Sequence, residues 1–123
     1  MKKIFLSSDH AGYKLKESIK LYLDKKKINY TDLGPYNSDK VDYPDYAHKV
    51  AKKVKTNNNH VGILVCGSGI GMNIAANRHK NIRAAQCFNL KSNIELHVYF
   101  YVYLQQYSFP SQSHKLIYRY DCY

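Results

Sequence analysis

The fold is most readily inferred from one part of the sequence, Val61-Gly62-Ile63-Leu64-Val65-Cys66-Gly67-Ser68-Gly69-Ile70-Gly71-Met72. Its first five residues are apolar without alternation, which is typical of a strand that is buried on both faces of a parallel sheet. Three glycines follow at alternate positions, and a short helix is predicted over residues 72–77. The stretch therefore predicts a buried strand, a tight glycine loop and a helix in direct succession.

Strands and helices alternate on either side of this stretch. Further strands are predicted over residues 3–6, 28–33 and 82–87, and helices over 12–24 and 42–55 and from Leu90 onward. This alternation predicts an α/β fold with right-handed crossovers, in which a parallel sheet carries helices on both faces. Ligands in such folds bind at the C-terminal ends of the strands, where segments 7–10 and 66–71 both fall.

Length and composition indicate the class of protein. The 123 residues suit one domain, and 45% of them are hydrophobic. The apolar run near the N-terminus is three residues long, too short for a signal peptide, and no run approaches the roughly 18 residues of a membrane span. Three cysteines without CxxC spacing argue against disulfides and against zinc. We expect a cytoplasmic protein that uses no metal and makes no membrane contact.

The net charge of +10 raises the possibility of nucleic-acid binding. The lysines stand at helical spacing, at Lys14, Lys16 and Lys20 and at Lys49, Lys52, Lys53 and Lys55, with a further run at 25–27. We interpret them as solvated helix faces and helix ends, because cations complement the C-terminal end of a helix dipole. No aromatic platform or groove-reading helix accompanies them, so we predict attraction to small anions rather than nucleic acid.

The pattern changes after about residue 92. Residues 93–123 hold seven of the thirteen tyrosines, and the run 98–104 is strand-like without polar alternation. The polar stretch 105–114 shows no helical period. We therefore predict an incomplete α/β domain over 1–92 and an anomalous tail over 93–123, with the profile of an aggregation-prone strand.

The glycine loop is the first candidate for chemistry. Glycines let the backbone approach a ligand closely, and the N–H groups at the start of the following helix favour an anion or a developing oxyanion. The alternative is a merely tight strand-to-helix turn. No Gly-Lys-Ser/Thr follows, so the loop is not a phosphate-binding Walker loop. It also does not follow the first strand, as a dinucleotide-binding loop would.

Cys66 and Ser68 lie in this loop. A thiol at the start of a helix can act as a base or a nucleophile, although cysteine often only fills space in a core. The hydroxyl of Ser68 is a candidate donor to a ligand oxygen, or it is an ordinary turn serine. Because Cys66 stands beside a glycine loop, we favour a functional role for it.

Two further pairs complete the predicted site. Asp9 and His10 follow the first strand and should lie beside the Cys66 loop, where a carboxylate and an imidazole suit proton transfer between oxygens. Asp9 is equally suited to capping the next helix. Asp42 and Tyr43 open the second helix; Asp42 can cap it, and Tyr43 either contacts a ligand or packs locally. We interpret His48, His60, His79 and Cys87 as structural or solvated residues.

These segments resemble the ribose-5-phosphate isomerase B family, which includes the galactose-6-phosphate and allose-6-phosphate isomerases. The resemblance covers residues 1 to about 92. It lies in Ser8-Asp9-His10-Ala11-Gly12, Asp42-Tyr43-Pro44-Asp45-Tyr46-Ala47, the glycine loop from Val65 to Met72 with Ala75-Ala76-Asn77, and Ile82-Arg83-Ala84-Ala85. It implies a Rossmann-like sheet, a homodimer with shared active sites, a sugar-phosphate substrate, and no metal or organic cofactor.

The resemblance also implies roles for the site residues. Cys66 would be the base that moves a proton between C1 and C2 of the open-chain sugar through an enediolate, and Asp9 would move the hydroxyl proton. Amides of the loop would hold the enediolate oxygens, with Ser68 where threonine is more usual, and His10, Asp42 and Tyr43 would face the substrate. The loop residues concerned are Gly67, Gly69, Ile70 and Gly71. We thus predict an aldose–ketose isomerase, most simply for ribose 5-phosphate, or else a non-catalytic binder descended from one.

The tail departs from the family. A His-Asn pair that helps to open the sugar ring falls at Tyr99-Phe100 here, and His97 does not replace it. The family's fifth strand, its Gly-x-Arg segment and its arginine-bearing last helix are not recognisable in 93–123. A change of reading frame near residue 92 would explain this, and it predicts a missing or distorted fifth strand and final helices. We accordingly expect little or no turnover, and a homodimer only with an intact C-terminal region.

Overall fold

A computed structural model describes residues 3–84 and the backbone of residues 99–100 and 104–106. The elements are β1 (Lys3–Ser8), α1 (Tyr13–Lys25), β2 (Tyr30–Asp32), α2 (Tyr43–Val54), β3 (His60–Cys66), α3 (Ile70–Asn77), β4 (Ile82–Arg83), β5 (Tyr99–Phe100) and β6 (Leu104–Gln106). The predictions for Cys87, for the helix from Leu90 and for His97 lie outside the described residues.

A parallel sheet forms the centre of the fold. β1 pairs in parallel with β2 on one side, where Leu6 lies opposite Asp32, and with β3 on the other side, where Ser8 lies opposite Val65. The connections through α1 and α2 return the chain to the same end of the sheet each time. The predicted α/β fold with a parallel sheet is confirmed.

The tail adds antiparallel pairs that the sequence did not predict. β6 lies between β3 and β4 in the strand order β2-β1-β3-β6-β4, and β5 also pairs with β3. Of the predicted strand over 82–87, the structure describes Ile82–Arg83 as a strand, which pairs with β6 rather than with β3. Backbone groups along an uncovered edge of β3 need hydrogen-bond partners, and a β-prone segment supplies them.

The two faces of the sheet carry different helices. Phe5 of β1 and Leu64 and Cys66 of β3 pack with α2 and α3 in the larger cluster of buried residues. Leu6 and Val65 point the other way and pack with α1. Since successive side chains of a strand alternate between faces, both strands are buried on both sides, as their apolar sequences require. Helices on both faces are thus confirmed.

The starts of α2 and α3 differ slightly from the prediction. Asp42 stands at the N-cap of α2 with an extended backbone, and Pro44 and Asp45 follow in the first turn, but the Asp42 side chain makes no capping hydrogen bond. Helix α3 begins two residues early, at Ile70, because Gly69 adopts a left-handed φ of 74° and ends the loop there.

The prediction of a solvated lysine face on α1 is wrong at Lys16. Its side chain is fully buried, and its Nζ lies 2.6 Å from Oδ2 of Asp32 and 3.1 Å from Oε1 of Glu17. Lys14 is exposed, as predicted, and Lys20 is partly exposed. Lys16 can be buried because carboxylates from β2 and from its own helix replace the water that its ammonium loses.

Within the described segments, no helix is both long and apolar enough to cross a membrane.

Candidate active site

The C-terminal ends of β1 and β3 form the floor of the candidate site. Ser8 and Val65 are opposite one another, and the amide of Asp9 donates a 2.9 Å hydrogen bond to the carbonyl of Val65. The segments that follow the two strands therefore start side by side. The structure brings Asp9 and the Cys66 loop together at this edge.

The Asp9 carboxylate joins the two loops. Its Oδ1 accepts a 2.7 Å hydrogen bond from the amide of Gly12, and its Oδ2 accepts a 3.3 Å bond from the amide of Gly67. The first bond stabilises the start of α1, and the second holds the beginning of the glycine loop. Asp9 is not the N-cap residue that its alternative role required, because Gly12 stands at the N-cap of α1 and the helix has no side-chain capping hydrogen bond. The Asp9 carboxylate instead joins the turn before α1 to the Cys66 loop.

Cys66 lies at the closed end of the glycine loop. It is 3% exposed and is a free cysteine. The amide of Gly69 donates to its Sγ at 2.8 Å, so the sulfur is the acceptor at the first turn of α3. A sulfur in this position, next to backbone N–H groups at a helix start, is placed to exchange a proton with a ligand that enters the loop.

Three amides of the loop already have hydrogen-bond acceptors. Gly67 donates to Asp9 and Gly69 donates to Cys66, while Ile70 donates a 3.3 Å bond to Oγ of Ser68. A ligand oxygen would therefore share or replace these bonds rather than fill an empty hole. Ser68 and Ile70 are exposed, so the outer side of the loop is open to a ligand.

Tyr43 packs against the third glycine of the loop. A Cβ on Gly71 would lie 2.7 Å from Cε2 and Cζ of the Tyr43 ring, so only glycine leaves room for the ring there. Tyr43 keeps 42% of its surface exposed, and Asp42 before it is exposed as well. Part of the Tyr43 ring thus packs against the glycine loop and part of it is exposed, so its contact with a ligand stays a prediction.

His10 connects the first loop to the segment before α2. It is exposed, and its Nδ1 accepts a 3.4 Å hydrogen bond from the amide of Val41. The bond ties the segment after β1 to the segment that delivers Asp42 and Tyr43. Asp9, His10, Tyr43 and Cys66 thus stand on three segments that are linked by hydrogen bonds or by close packing.

Comparison with known proteins places this chain in a family. The model of the ribose/galactose isomerase family matches residues 4–95. The chain belongs to this family. The matched range contains every residue assigned above to the site.

Relatives with names of this kind agree with the family. A putative sugar phosphate isomerase of Rickettsia bellii is 48% identical over 89 residues, which are 72% of this chain and 62% of the relative. A protein of Listeria innocua named ribose-5-P isomerase B is 49% identical over 84 residues, covering 68% of this chain and 57% of the relative. The crystal structure of a ribose 5-phosphate isomerase from Thermotoga maritima has a TM-score of 0.68 at 52% identity. That match covers 72% of this chain and 61% of the Thermotoga chain. The chain therefore spans about three fifths of the length of these family members.

A histidine pair near the site was missed by the sequence reasoning. Nδ1 of His48 on α2 and Nε2 of His79 after α3 lie 2.7 Å apart. Burial, the neighbouring His48 and the positive charges of Lys55 and Lys52 lower the pKa of His79. The interpretation of both histidines as structural or solvated residues did not predict this contact, because no sequence signal joins two histidines that are 31 residues apart.

A cleft of about 190 Å³ lies between α2 and α3 next to this pair. Its lining includes Tyr43 and Gly71 from the site, together with Pro44, His48, Ile74, Ala75 and Arg78. Arg78 contributes a positive charge to this lining.

Two further observations describe the surroundings of the site. Oγ of Ser8, at the end of β1, is buried and has no hydrogen-bond partner among the described residues. In the segments that the structure describes, no group of three or more His, Cys, Asp or Glu side chains is arranged to hold a metal ion.

Proposed function

We propose that the Cys66 loop is the reaction centre of a sugar-phosphate isomerase that interconverts ribose 5-phosphate and ribulose 5-phosphate. The observation that carries the proposal is the position of the Cys66 sulfur. It lies at the start of α3 inside a glycine loop, and the amide of Gly67 in the same loop binds the Asp9 carboxylate. The names of the relatives from Listeria and Thermotoga support the substrate.

The proposed reaction divides two proton transfers between two groups. Cys66, as the thiolate, removes the proton from C2 of the open-chain aldose, and the electron pair forms a C1–C2 double bond with negative charge on O1. Asp9 takes the proton of the O2 hydroxyl and delivers it to O1. The Cys66 thiol then returns its proton to C1, which leaves a carbonyl at C2 and the thiolate restored. Both groups end as they began, as a catalyst requires.

The loop amides are proposed to stabilise the enediolate. They lie at and just before the start of α3, where partial positive charge is available to an oxyanion. Because their present acceptors are the Asp9 carboxylate, the Cys66 sulfur and the Ser68 hydroxyl, the amides are held in place before a ligand arrives. Fixed donors of this kind need little reorganisation during the reaction.

The substrate is proposed to enter over His10 and Tyr43, with Asp42 at the rim. All three are exposed and border the loop segments described above. Residues 93–123 offer Arg119 alone as an arginine and no His-Asn pair at the family position. Charge-assisted contacts are the strong ones for phosphate, so we expect this chain to bind and turn over ribose 5-phosphate weakly.

The assembly and location follow the family resemblance as further proposals. We propose a cytoplasmic protein without a nucleic-acid partner. A homodimer with shared sites is proposed for a version of the chain that has the family's C-terminal region.

Solvent exchange tests the proposed chemistry without requiring fast turnover. The chain is incubated with ribose 5-phosphate in D2O, and deuterium is measured at C2 of the aldose and C1 of the ketose. We expect slow incorporation that is lost in Cys66→Ser and retained in Cys122→Ser, a thiol variant outside the loop. Incorporation that persists in Cys66→Ser would contradict the role of the thiol. Ribose 5-phosphate binding without any exchange would identify a non-catalytic binder instead.

A further inference from the structure

Lys16 is the least expected charged residue of the fold. Its side chain is fully buried on α1, and its Nζ contacts Asp32 at 2.6 Å and Glu17 at 3.1 Å. Lys20 contacts the same two carboxylates, at 2.9 Å and 3.0 Å. Two lysines and two acidic residues therefore form one network, and Lys16 is its innermost member.

The network continues from Asp32 to the end of β1. The second oxygen of the Asp32 carboxylate, Oδ1, accepts a 2.9 Å hydrogen bond from the amide of Gly34. The carbonyl of Gly34 in turn accepts bonds from Oγ of Ser7 at 2.7 Å and from the amide of Ser8 at 3.1 Å. Lys16 is thus connected, through Asp32 and Gly34, to the two residues that precede Asp9.

Two tyrosines tie the same lysine to the segment after β2. The Lys16 Nζ lies 5.5 Å from the ring centre of Tyr13 and 5.7 Å from that of Tyr36. The Tyr36 hydroxyl donates to the carbonyl of Asp32 at 3.1 Å, and the Tyr13 hydroxyl donates to the carbonyl of Tyr36 at 3.3 Å. Cation–π attraction and these bonds hold the segment against α1.

That segment leads directly to the candidate site. It runs from Gly34 to Val41, whose amide donates to His10, and then enters α2 at Tyr43. On the other side of Lys16, its own amide donates to the carbonyl of Gly12, whose amide donates to Asp9. The bond to Gly12 belongs to the backbone of Lys16, whereas its ammonium contacts Asp32 and the rings of Tyr13, in the first turn of α1, and Tyr36, in the segment before α2.

We propose that Lys16 is a positioning residue for the candidate site, which fixes His10 and Asp9 by holding the 34–41 segment against the first turn of α1. The use of these positions in catalysis depends on the proposed function, whereas the geometric role does not. A buried ion pair stabilises a fold little compared with an apolar pair of similar volume, but its directional bonds favour one arrangement of the segments that carry it. This is the property that a site assembled from separate loops requires.

The experiment compares Lys16→Met with Lys14→Met, which removes an exposed lysine from the same helix. The first readout is taken without ligand: the amide resonance of Val41 and the ring resonances of His10 through a pH titration. We expect both to change in Lys16→Met and to stay as in the wild type in Lys14→Met. Unchanged resonances in Lys16→Met would overturn the proposal.

A second readout uses the affinity for ribose 5-phosphate. Small misplacement of binding groups weakens productive contacts strongly, so we expect Kd to rise about tenfold in Lys16→Met and to recover at least in part in Lys16→Arg. A wild-type chain that fails to bind ribose 5-phosphate would refute the proposed function, while the ligand-free resonances would still decide the role of Lys16.

A third variant separates positioning from folding. Lys16→Met/Asp32→Leu replaces the buried pair by apolar side chains, which commonly preserves stability. We expect this variant to unfold near the wild-type temperature yet to keep the altered His10 and Val41 resonances. If the double variant regains the wild-type resonances, Lys16 serves only to fill the interior and the proposal is wrong.

Discussion

The substitution Gly12→Ala should damage the fold where α1 meets β3. A Cβ on Gly12 would lie 2.5 Å from the carbonyl oxygen of Val65 and 2.7 Å from its carbonyl carbon and Cγ1. Two of these three atoms belong to the backbone of a buried central strand, so they cannot turn aside. Helix α1 must move away by about 0.9 Å to restore ordinary contact at 3.4 Å.

The expected loss can be built from three effects. Overpacking of a well-packed interior costs about 1–3 kcal/mol. The movement also stretches the bond from Asp9 to the Val65 carbonyl, and a hydrogen bond contributes about 0.5–1.5 kcal/mol. Alanine lowers the conformational entropy of the unfolded chain, which stabilises the folded state by about 0.4–1 kcal/mol and offsets part of the loss. Since Gly12 has a φ of −84°, alanine meets no backbone strain there, and a net loss of about 2 kcal/mol remains.

Thermal and urea unfolding of the full chain measure this loss. For a domain of this size a loss of about 2 kcal/mol lowers Tm by about 8–16 °C. The matched control is Gly67→Ala, whose Cβ would meet, among the residues that the structure describes, only the Cβ of the exposed Ala11, at 3.1 Å. We expect that control to lose less than about 1 kcal/mol, because Ala11 can give way. A Gly12→Ala chain as stable as the wild type, or less affected than Gly67→Ala, would refute the packing of α1 on β3.

Three further predictions concern the site and its supports. Gly71→Ala places a Cβ 2.7 Å from the exposed Tyr43 ring, which can rotate away, so we expect a loss of stability of less than about 1 kcal/mol. Because the ring then leaves its position beside the loop, calorimetry should show weaker binding of ribose 5-phosphate. Unchanged binding would contradict a role of this contact. Burial alone would raise the pKa of Asp32, but hydrogen bonds from lysines outweigh it and hold the pKa below the ordinary 3.8. The stabilising contribution of Asp32 is present above about pH 4 and is lost as pH falls through the folded-state pKa. In Asp32→Asn the free energy of unfolding should therefore depend less on pH below about pH 4 than it does in the wild type. Burial and then His48 lower the pKa of His79 below 6.5, so the free energy of unfolding should fall as pH drops below 6.5. If this free energy depends on pH equally in His79→Gln and in the wild type, His79 is not the cause of the fall.

The sequence predicted those parts of the fold that local patterns determine. The apolar run of β3, the glycines after it and the alternation of strands with helices are all local, and they placed Asp9 and Cys66 at one edge of the sheet. The Asp9 carboxylate between Gly12 and Gly67 follows from that topology, because parallel neighbours end side by side.

The missed features depend on contacts between distant segments. Lys16 has the spacing of a solvated lysine, and only the pairing of β1 with β2 brings Asp32 beneath it. His48 and His79 meet because α2 and α3 share one face of the sheet. The antiparallel β6 next to β3 follows from an open sheet edge rather than from any pattern of the α/β domain.

We propose above that a sugar phosphate binds at the loop formed by Cys66 and the glycines after it. Amide resonances of Gly67, Gly69 and Gly71, recorded while ribose 5-phosphate is added to the full chain, test this claim most directly. We expect these three resonances and that of His10 to shift together and saturate, while ribose without phosphate produces weaker shifts at the same positions. If the loop resonances stay constant while ribose 5-phosphate shifts resonances elsewhere, the sugar phosphate does not bind at this loop.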